Sequence, residues 1–187
     1  MTNISIFASG GGSNALKIIK HFEGSSTIQI KQIISNNEAA GVLKIAQEYH
    51  IASHVINKSQ LHDGRYMDEI LIGIDYIVLA GFLKKIPEYL IKKFENKIFN
   101  THPSLLPKYG GKGMYGMNVH AAIVKNNEKI SGMTIHLVNE EYDKGPILFQ
   151  KSCIVEPMDT AELVALKVLA LEHENYAKVI EEYISQF

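Results

Sequence analysis

Two polar residues stand where a buried strand is predicted to end. In "IFNTHPSLLPKY" (98–109), Asn100 and His102 follow a short apolar run, and Pro103 and Pro107 then disfavour a helix. Open α/β sheets bind their ligands at the carboxyl ends of strands. An amide N–H beside a protonated imidazole can donate two hydrogen bonds to one developing oxyanion. Either residue alone would be interpreted as a loop cap or a surface histidine, but the pair indicates catalysis.

A third candidate, Asp143, lies in the turn "NEEYDKGP" (139–146). Aspartate is common in such turns for backbone reasons, so a structural role is a strong alternative. If the turn folds back over His102, the carboxylate raises the pKa of the imidazole and keeps it protonated at neutral pH. The spacing of the residues does not show whether that contact forms.

A glycine cluster, "SGGGSNAL" (9–16), follows the first apolar run. Gly10, Gly12 and Ala15 fit the dinucleotide pattern G-x-G-x-x-A, but the second strand ends in Ser-Asn-Asn without the carboxylate that binds the ribose. A glycine loop at a helix N-terminus can also hold a single phosphate. We therefore favour a monophosphate site at Gly12, Ser13 and Asn14 over a plain tight turn.

The remaining histidines and the single cysteine are weaker candidates. His50 and His54 fall on either side of a predicted helix–strand junction, and His136 falls within a predicted strand. No set of histidines and carboxylates has the spacing of metal ligands, so no metal is predicted. Cys153 is interpreted as a small apolar residue in a strand.

The elements that must position these residues alternate between strand and helix in the first half of the chain, which predicts a parallel sheet flanked by helices. The predicted strands are 4–9, 28–35, 53–57, 75–82, 97–100, 131–138 and 147–155, and the predicted helices are 13–22, 39–49, 65–74, 87–94, 118–126 and 159–185. Ser13 is expected to be the N-cap of the first helix, and Pro87 the N1 residue of the fourth. The last two strands are longer and joined by a turn. We expect an α/β fold in one domain, 1–187.

Composition excludes several classes of protein. The chain has 187 residues and a net charge of −1, without the basic excess typical of nucleic-acid binders. No segment has the length and apolar character of a membrane span, and the N-terminus lacks the basic region of a signal peptide. The single cysteine excludes an internal disulfide. We expect a cytoplasmic protein without nucleic-acid or membrane partners, as a monomer or weak homodimer.

Three motifs in order give the chain a specific resemblance. "SGGGSN" (9–14), "NTHPSLLPKY" (100–109) and "GMTIHLVNEEYDKGPIL" (132–148) together closely resemble the phosphoribosylglycinamide formyltransferase family, in register from about residue 3 to residue 180. The resemblance implies a single-domain Rossmann-like formyltransferase fold, with a mostly parallel twisted sheet and late antiparallel strands. It also implies transfer of the formyl group of 10-formyltetrahydrofolate to the amine of 5-phosphoribosylglycinamide in purine biosynthesis, through a tetrahedral intermediate.

The same resemblance implies roles for individual residues. Asn100 and His102 match the oxyanion stabilisers, and Asp143 matches the carboxylate that orients the histidine and raises its pKa. The substrate-binding residues that match are Gly12, Ser13 and Asn14 for the phosphate and Glu172 for the glycinamide amino end. The matching contacts of the folate co-substrate are Arg65, Leu83, Lys84, Lys85, Ile86, Asn100, Asn139, Glu140, Glu141, Tyr142 and Asp143.

Three alternatives differ from this interpretation in ways that can be tested. A formyltetrahydrofolate deformylase uses water in place of the amine and carries an additional regulatory domain. Methionyl-tRNA formyltransferase shares the Ser-Leu-Leu-Pro segment but adds a basic tRNA-binding domain. A non-catalytic nucleotide-binding module would keep the glycine loop but has no use for Asn100, His102 and Asp143 together.

Overall fold

The computed structural model describes residues 1–187. Its backbone forms two compact units, Met1–Phe99 and Asn100–Phe187. The expectation of one catalytic domain over 1–187 stays a prediction.

The first unit carries the parallel part of the fold. Its strands are β1 (Thr2–Phe7), β2 (Ile28–Ser35), β3 (Ala52–Val55) and β4 (Tyr76–Leu79), in the order β3-β2-β1-β4. The neighbouring strands pair in parallel. All four residues of β4 are buried, as predicted for an apolar strand covered on both faces. The helices are α1 (Ser13–Phe22), α2 (Val42–Glu48), α3 (Lys58–His62), α4 (Gly64–Ile70) and α5 (Glu88–Lys93).

Two local expectations in this unit are wrong, and one helix was missed. The N-cap of α1 is Gly12 and not Ser13; its φ is +83°, and no side chain caps the helix. Pro87 is the N-cap of α5 and not its N1 residue. The short helix α3 was not predicted, although Asn57 accepts a hydrogen bond from the backbone N–H of Gln60 in a capping box.

The strand β5 (Ile98–His102) begins in the first unit and ends in the second. In the first unit, the carbonyl of Lys97 accepts a hydrogen bond from the backbone N–H of Ile77 in β4. Phe99 is fully buried and packs against the ring of Tyr76, with 5.8 Å between centroids. β5 is longer than predicted and includes both Asn100 and His102, so a strand backbone positions both side chains.

The second unit contains α6 (Met117–Lys125), β6 (Ile130–Leu137), β7 (Ile147–Ile154) and α7 (Ala161–Ile184), with the strand order β5-β6-β7. β6 and β7 are antiparallel, and their register shifts between Ile135 and His136. Thr160 caps α7 by accepting from the backbone N–H of Leu163. The α/β class with parallel strands followed by antiparallel ones is therefore confirmed. None of the helices combines the length and the hydrophobicity needed to cross a bilayer.

Candidate active site

Asn100 and His102 lie two residues apart at the end of β5, so their side chains project to the same face of the strand. His102 is buried, and Asn100 is partly exposed. Thr101, between them, projects to the opposite face. Strand geometry thus sets the spacing of the two predicted catalytic side chains.

Both ring nitrogens of His102 face oxygen atoms. Nε2 donates to the carbonyl of Tyr109 at 2.8 Å. Nδ1 lies 3.6 Å from Oδ2 of Asp143, within ion-pair range but beyond a normal hydrogen bond. Because a carbonyl only accepts, Nε2 carries a proton, and Nδ1 is the ring nitrogen that faces the carboxylate.

Asp143 is positioned by its own backbone conformation and by a contact with the loop that follows β5. It has a φ of +56°, and its Oδ2 accepts from the N–H of Gly111 at 2.8 Å. The absence of a side chain at Gly110 is part of this arrangement, since a Cβ there would lie 3.3 Å from Cβ of Asp143 and 2.6 Å from the side chain of Leu106. The structure therefore places the carboxylate beside His102, as the folded-back turn requires.

His136 joins this cluster, although the sequence indicated only a strand histidine. Its Nε2 lies 3.1 Å from Nδ2 of Asn100 and 3.7 Å from Oδ1 of Asp143. The sequence feature that could have indicated this role is the position of His136 in an otherwise apolar strand, "GMTIHLV". A polar side chain buried in such a strand needs a hydrogen-bond partner.

The hydrogen bonds of His136 define its tautomer. Its Nδ1 is 2.9 Å from the carbonyl of Leu137 and must donate to it. Burial lowers the pKa of His136, against smaller raising effects of the Leu137 carbonyl and Asp143, so the neutral ring is favoured. Its Nε2 then accepts an N–H of Asn100, which fixes the orientation of the amide. The second N–H of the Asn100 side chain can be offered to a ligand.

A further histidine, His120 of α6, is buried, and its Nδ1 has no hydrogen-bond partner. Burial lowers the pKa of His120, and the charge of His102 lowers it further. Neither the burial of His120 nor the effect of His102 on its pKa was predicted from the sequence.

Glu172 contacts the residue between Asn100 and His102. It is buried in α7 and accepts from Oγ1 of Thr101 at 3.1 Å. Burial, followed by the charge of Glu172, raises the pKa of Tyr176. The carboxylate is therefore joined to β5 through Thr101.

In the first unit, the glycine loop packs closely against α2. A Cβ on Gly12 would lie 2.8 Å from the side chain of Val42, and a Cβ on Gly41 would lie 3.1 Å from the backbone of Gly11. The N–H of Val42 donates to the carbonyl of Gly10. Ser13 is exposed at the start of α1, where helix N–H groups favour an anion.

The residues predicted to contact the folate form separate groups. Leu83, Lys84 and Lys85 are exposed, Ile86 is buried, and the N–H of Leu83 donates to Oγ of Ser9. Arg65 is exposed at the start of α4, and no hydrogen bond or ion pair joins its guanidinium to that segment.

The turn that follows β6 leaves several side chains accessible. Glu140, Glu141 and Tyr142 are exposed, and Asn139 accepts from the N–H of Glu141. No group of three or more histidine, cysteine, aspartate or glutamate side chains is arranged to hold a metal ion.

Comparison with known proteins gives a consistent result. The family described as formyl transferase matches residues 2–180. Phosphoribosylglycinamide formyltransferase of Haemophilus influenzae is 32% identical over 188 residues, covering 97% of this chain and 86% of that protein. The chloroplastic phosphoribosylglycinamide formyltransferase of Arabidopsis thaliana is 40% identical over 185 residues, covering 95% of this chain. The chain spans 63% of the length of that plant protein and 59% of a second one, from Vigna unguiculata.

Solved structures agree with the fold. The crystal structure of phosphoribosylglycinamide formyltransferase from Anaplasma phagocytophilum has a TM-score of 0.87 and 37% identity, covering 96% of this chain and 85% of that one. A formyltetrahydrofolate deformylase from Pseudomonas syringae also has a TM-score of 0.87, at 19% identity and with 62% of its chain covered. The second similarity concerns the fold alone.

Proposed function

Because this chain belongs to the formyl transferase family, we propose that it transfers the formyl group of 10-formyltetrahydrofolate to the amino group of 5-phosphoribosylglycinamide. This is a step of purine biosynthesis. The amine attacks the formyl carbon and a tetrahedral oxyanion forms. The bond from that carbon to N10 of the folate then breaks, the amine loses a proton, and N10 gains one, so that tetrahydrofolate leaves. The names of the relatives from Haemophilus influenzae and Anaplasma phagocytophilum, both phosphoribosylglycinamide formyltransferases, support this acceptor.

The observation that carries the proposal is the polar cluster of Asn100, His102, His136 and Asp143, joined at distances of 3.1–3.7 Å. Formyl transfer creates negative charge on one oxygen, and donors already aimed at that position stabilise the transition state. The cluster offers two such donors, the free N–H of Asn100 and Nδ1–H of His102. Both are held before the substrate arrives, so little reorganisation accompanies the reaction.

Asp143 has a supporting electrostatic role in this mechanism. Its carboxylate lies 3.6 Å from Nδ1 of His102 in a buried setting, where an opposite charge stabilises the imidazolium more strongly than in water. The carboxylate of Asp143 also accepts a hydrogen bond from the backbone N–H of Gly111, and this bond links it to the loop after β5. The carboxylate therefore maintains the charge and the position of the principal donor.

The family resemblance indicates which residues bind each substrate. Gly12, Ser13 and Asn14 hold the phosphate, in keeping with the open loop before α1, and Glu172 receives the glycinamide amino end. The folate contacts are proposed at Arg65, at 83–86 and at 139–143. Leu83, whose apolar side chain is 62% exposed, suits an aromatic ring system.

A direct assay tests the function. The protein is incubated with 10-formyltetrahydrofolate, with and without 5-phosphoribosylglycinamide, and tetrahydrofolate release is followed by absorbance. We expect release that depends on the amine and a formylated product by mass spectrometry. Release without the amine would instead support the deformylase alternative, and no release in either case would support a binding module.

The setting of the reaction is part of the proposal. We assign it to the cytoplasm, in keeping with a single cysteine, Cys153, that cannot form an internal disulfide. We also keep the expectation of a monomer or weak homodimer, which sedimentation at two protein concentrations tests.

A further inference from the structure

Tyr109 presents a backbone carbonyl, and not its side chain, to the candidate active site. This carbonyl accepts from Nε2 of His102 at 2.8 Å, and Oδ2 of Asp143 lies 3.6 Å from the other ring nitrogen. An imidazole can rotate about the bond to its Cβ with little preference between two opposite orientations, and such a rotation exchanges its nitrogen and carbon positions. The hydrogen bond to Tyr109 therefore determines that Nδ1 is the nitrogen that faces Asp143.

The backbone of Tyr109 is in an unfavourable conformation. Its φ is +56°, in the left-handed region that aromatic residues rarely adopt. A residue with a Cβ stays in this region only when the surrounding structure stabilises it, and such residues are concentrated at functional sites. The contacts of Tyr109 should therefore show what holds its carbonyl in place.

Two sets of contacts hold Tyr109. On its N-terminal side, the carbonyl of Lys108 accepts from Oγ of Ser104 at 2.6 Å, and Ser104 is buried. At the tip of the side chain, the phenol hydroxyl donates to Oε1 of Glu128 at 3.0 Å and accepts from Nδ2 of Asn126 at 3.0 Å. Because the hydroxyl donates to one group and accepts from another, these two bonds fix the position of the ring.

The acceptor of the phenol proton is a charged group. Hydrogen bonds from Lys108 and from Tyr109 lower the pKa of Glu128, so its carboxylate is ionised at neutral pH. A hydroxyl that donates to an ionised carboxylate makes a stronger hydrogen bond than one that donates to a neutral oxygen. The phenol of Tyr109 is thus held at the C-terminal end of α6, where Asn126 is the C-cap.

We propose that Tyr109 is a positioning residue for formyl transfer. Its phenol, held by Glu128 and Asn126, stabilises the left-handed backbone, and this backbone directs the carbonyl at Nε2 of His102. Nδ1 then faces Asp143 and the position proposed for the oxyanion. The effect on turnover rests on the proposed function, whereas the orientation of the ring requires no substrate.

Tyr109→Phe removes both hydrogen bonds of the phenol and keeps the ring. We expect kcat to fall roughly 3- to 10-fold, the effect of one ordinary hydrogen bond, with little change in KM for either substrate. The Nε2–H proton of His102, observed by NMR in the full chain without substrate, should exchange with water roughly 10-fold faster. Its resonance is assigned by its loss in His102→Gln. The matched control Tyr49→Phe, at the C-cap of α2, should change neither quantity.

Two further substitutions separate the backbone conformation from packing. Tyr109→Ala and Tyr109→Gly both remove the ring, but only glycine adopts a positive φ readily. We expect Tyr109→Gly to retain roughly 5-fold more activity than Tyr109→Ala and to show slower exchange of the His102 Nε2–H proton. A role in packing alone predicts equal losses in the two variants. Glu128→Gln, which keeps an acceptor for the phenol, should retain more activity than Glu128→Ala.

The exchange measurement distinguishes this proposal from the proposed function. If the parent protein has no formyl-transfer activity, the proposed function fails, and the exchange rate in the chain without substrate alone decides whether Tyr109 orients His102. In an active parent, an unchanged kcat or an unchanged exchange rate in Tyr109→Phe overturns the proposal. Equal losses in Tyr109→Ala and Tyr109→Gly also overturn it, and if either variant does not fold, the result for Tyr109→Phe decides.

Discussion

Asn100 depends on a neighbouring histidine for the orientation of its amide. In a free asparagine the oxygen and nitrogen of the side chain can exchange places by rotation, which would present an acceptor to the oxyanion instead of a donor. The neutral His136 accepts one N–H at 3.1 Å and removes this ambiguity. His136, which need not contact the substrate, thus determines whether Asn100 presents a hydrogen-bond donor at the site.

Removal of either of the two proposed oxyanion donors should affect turnover strongly. Asn100→Ala or His102→Ala is expected to lower kcat by on the order of 10²–10³, as for other oxyanion donors. Steady-state kinetics with both substrates measures this, and circular dichroism controls for folding. Turnover close to that of the parent protein in either variant would contradict the assignment.

His136→Phe tests the positioning of the amide. The substitution keeps an aromatic ring but removes the acceptor for Asn100, so we expect kcat to fall roughly 10-fold with little change in KM, the effect of one oriented hydrogen bond. His136→Gln, which can present an oxygen at this position, should retain more activity. Equal losses in the two variants would indicate a packing role instead.

For individual residues, the sequence was sufficient to predict which side chains lie together when they belong to one short segment. Asn100 and His102 could be paired because their separation of two residues fits one strand face. The contacts of Asp143 and His136 join β5 to the hairpin of β6 and β7, and local spacing contains no information on such long-range contacts. His136 was underrated because a histidine in an apolar strand has several structural explanations.

The glycine loop before α1 shows how an element constrains a binding loop. Gly12 is in the left-handed region and lies against Val42, so it is required for two separate reasons. One is the cost of a positive φ for any residue with a Cβ, and the other is steric contact with α2.

Gly12→Ala should therefore reduce stability by about 1–3 kcal/mol and raise KM for the phosphorylated substrate. In the double variant with Val42→Ala, the steric contact is relieved but the backbone strain remains. We expect the double variant to be less destabilised than the sum of the single changes, as measured by urea unfolding. Additive effects would show that α2 does not limit this loop.

Two features that the sequence did not predict, the helix α3 and the N-cap of α1, have local causes. α3 is only five residues long, too short for a helical pattern of apolar residues to be evident. The N-terminus of α1 is set by the backbone of Gly12, whereas the expectation relied on a serine side chain. In contrast, α7 extends over 24 residues and was predicted within two residues at each end.

Buried histidines link the stability of the molecule to pH. The pKa of His120 is lowered by burial and by His102, and the pKa of His136 is lowered mainly by burial. Above the unfolded pKa of about 6.5, both states are neutral and the full stability is present. As the pH falls below this value, the unfolded chain binds protons first, so stability is lost towards the lower pKa of the folded state.

We accordingly expect the free energy of unfolding to decrease between pH 7.5 and pH 5.5, and His120→Gln to make this decrease smaller. Urea unfolding at three pH values measures the slope. The exposed His62 provides a matched control, since His62→Gln also removes one histidine. A slope equal to that of the parent protein in His120→Gln would exclude His120 as a source of the acid sensitivity.

The two-residue periodicity of β5 also limits how this protein can evolve. Insertion or deletion of one residue just before Asn100 would turn both donors towards the opposite side of the strand, even though no reactive group had been lost. Changes of length at 112–116, the part of the connection to α6 that follows Gly111, carry no such penalty. Variation in length should accordingly be tolerated in that connection, while the number of residues in the strand stays fixed.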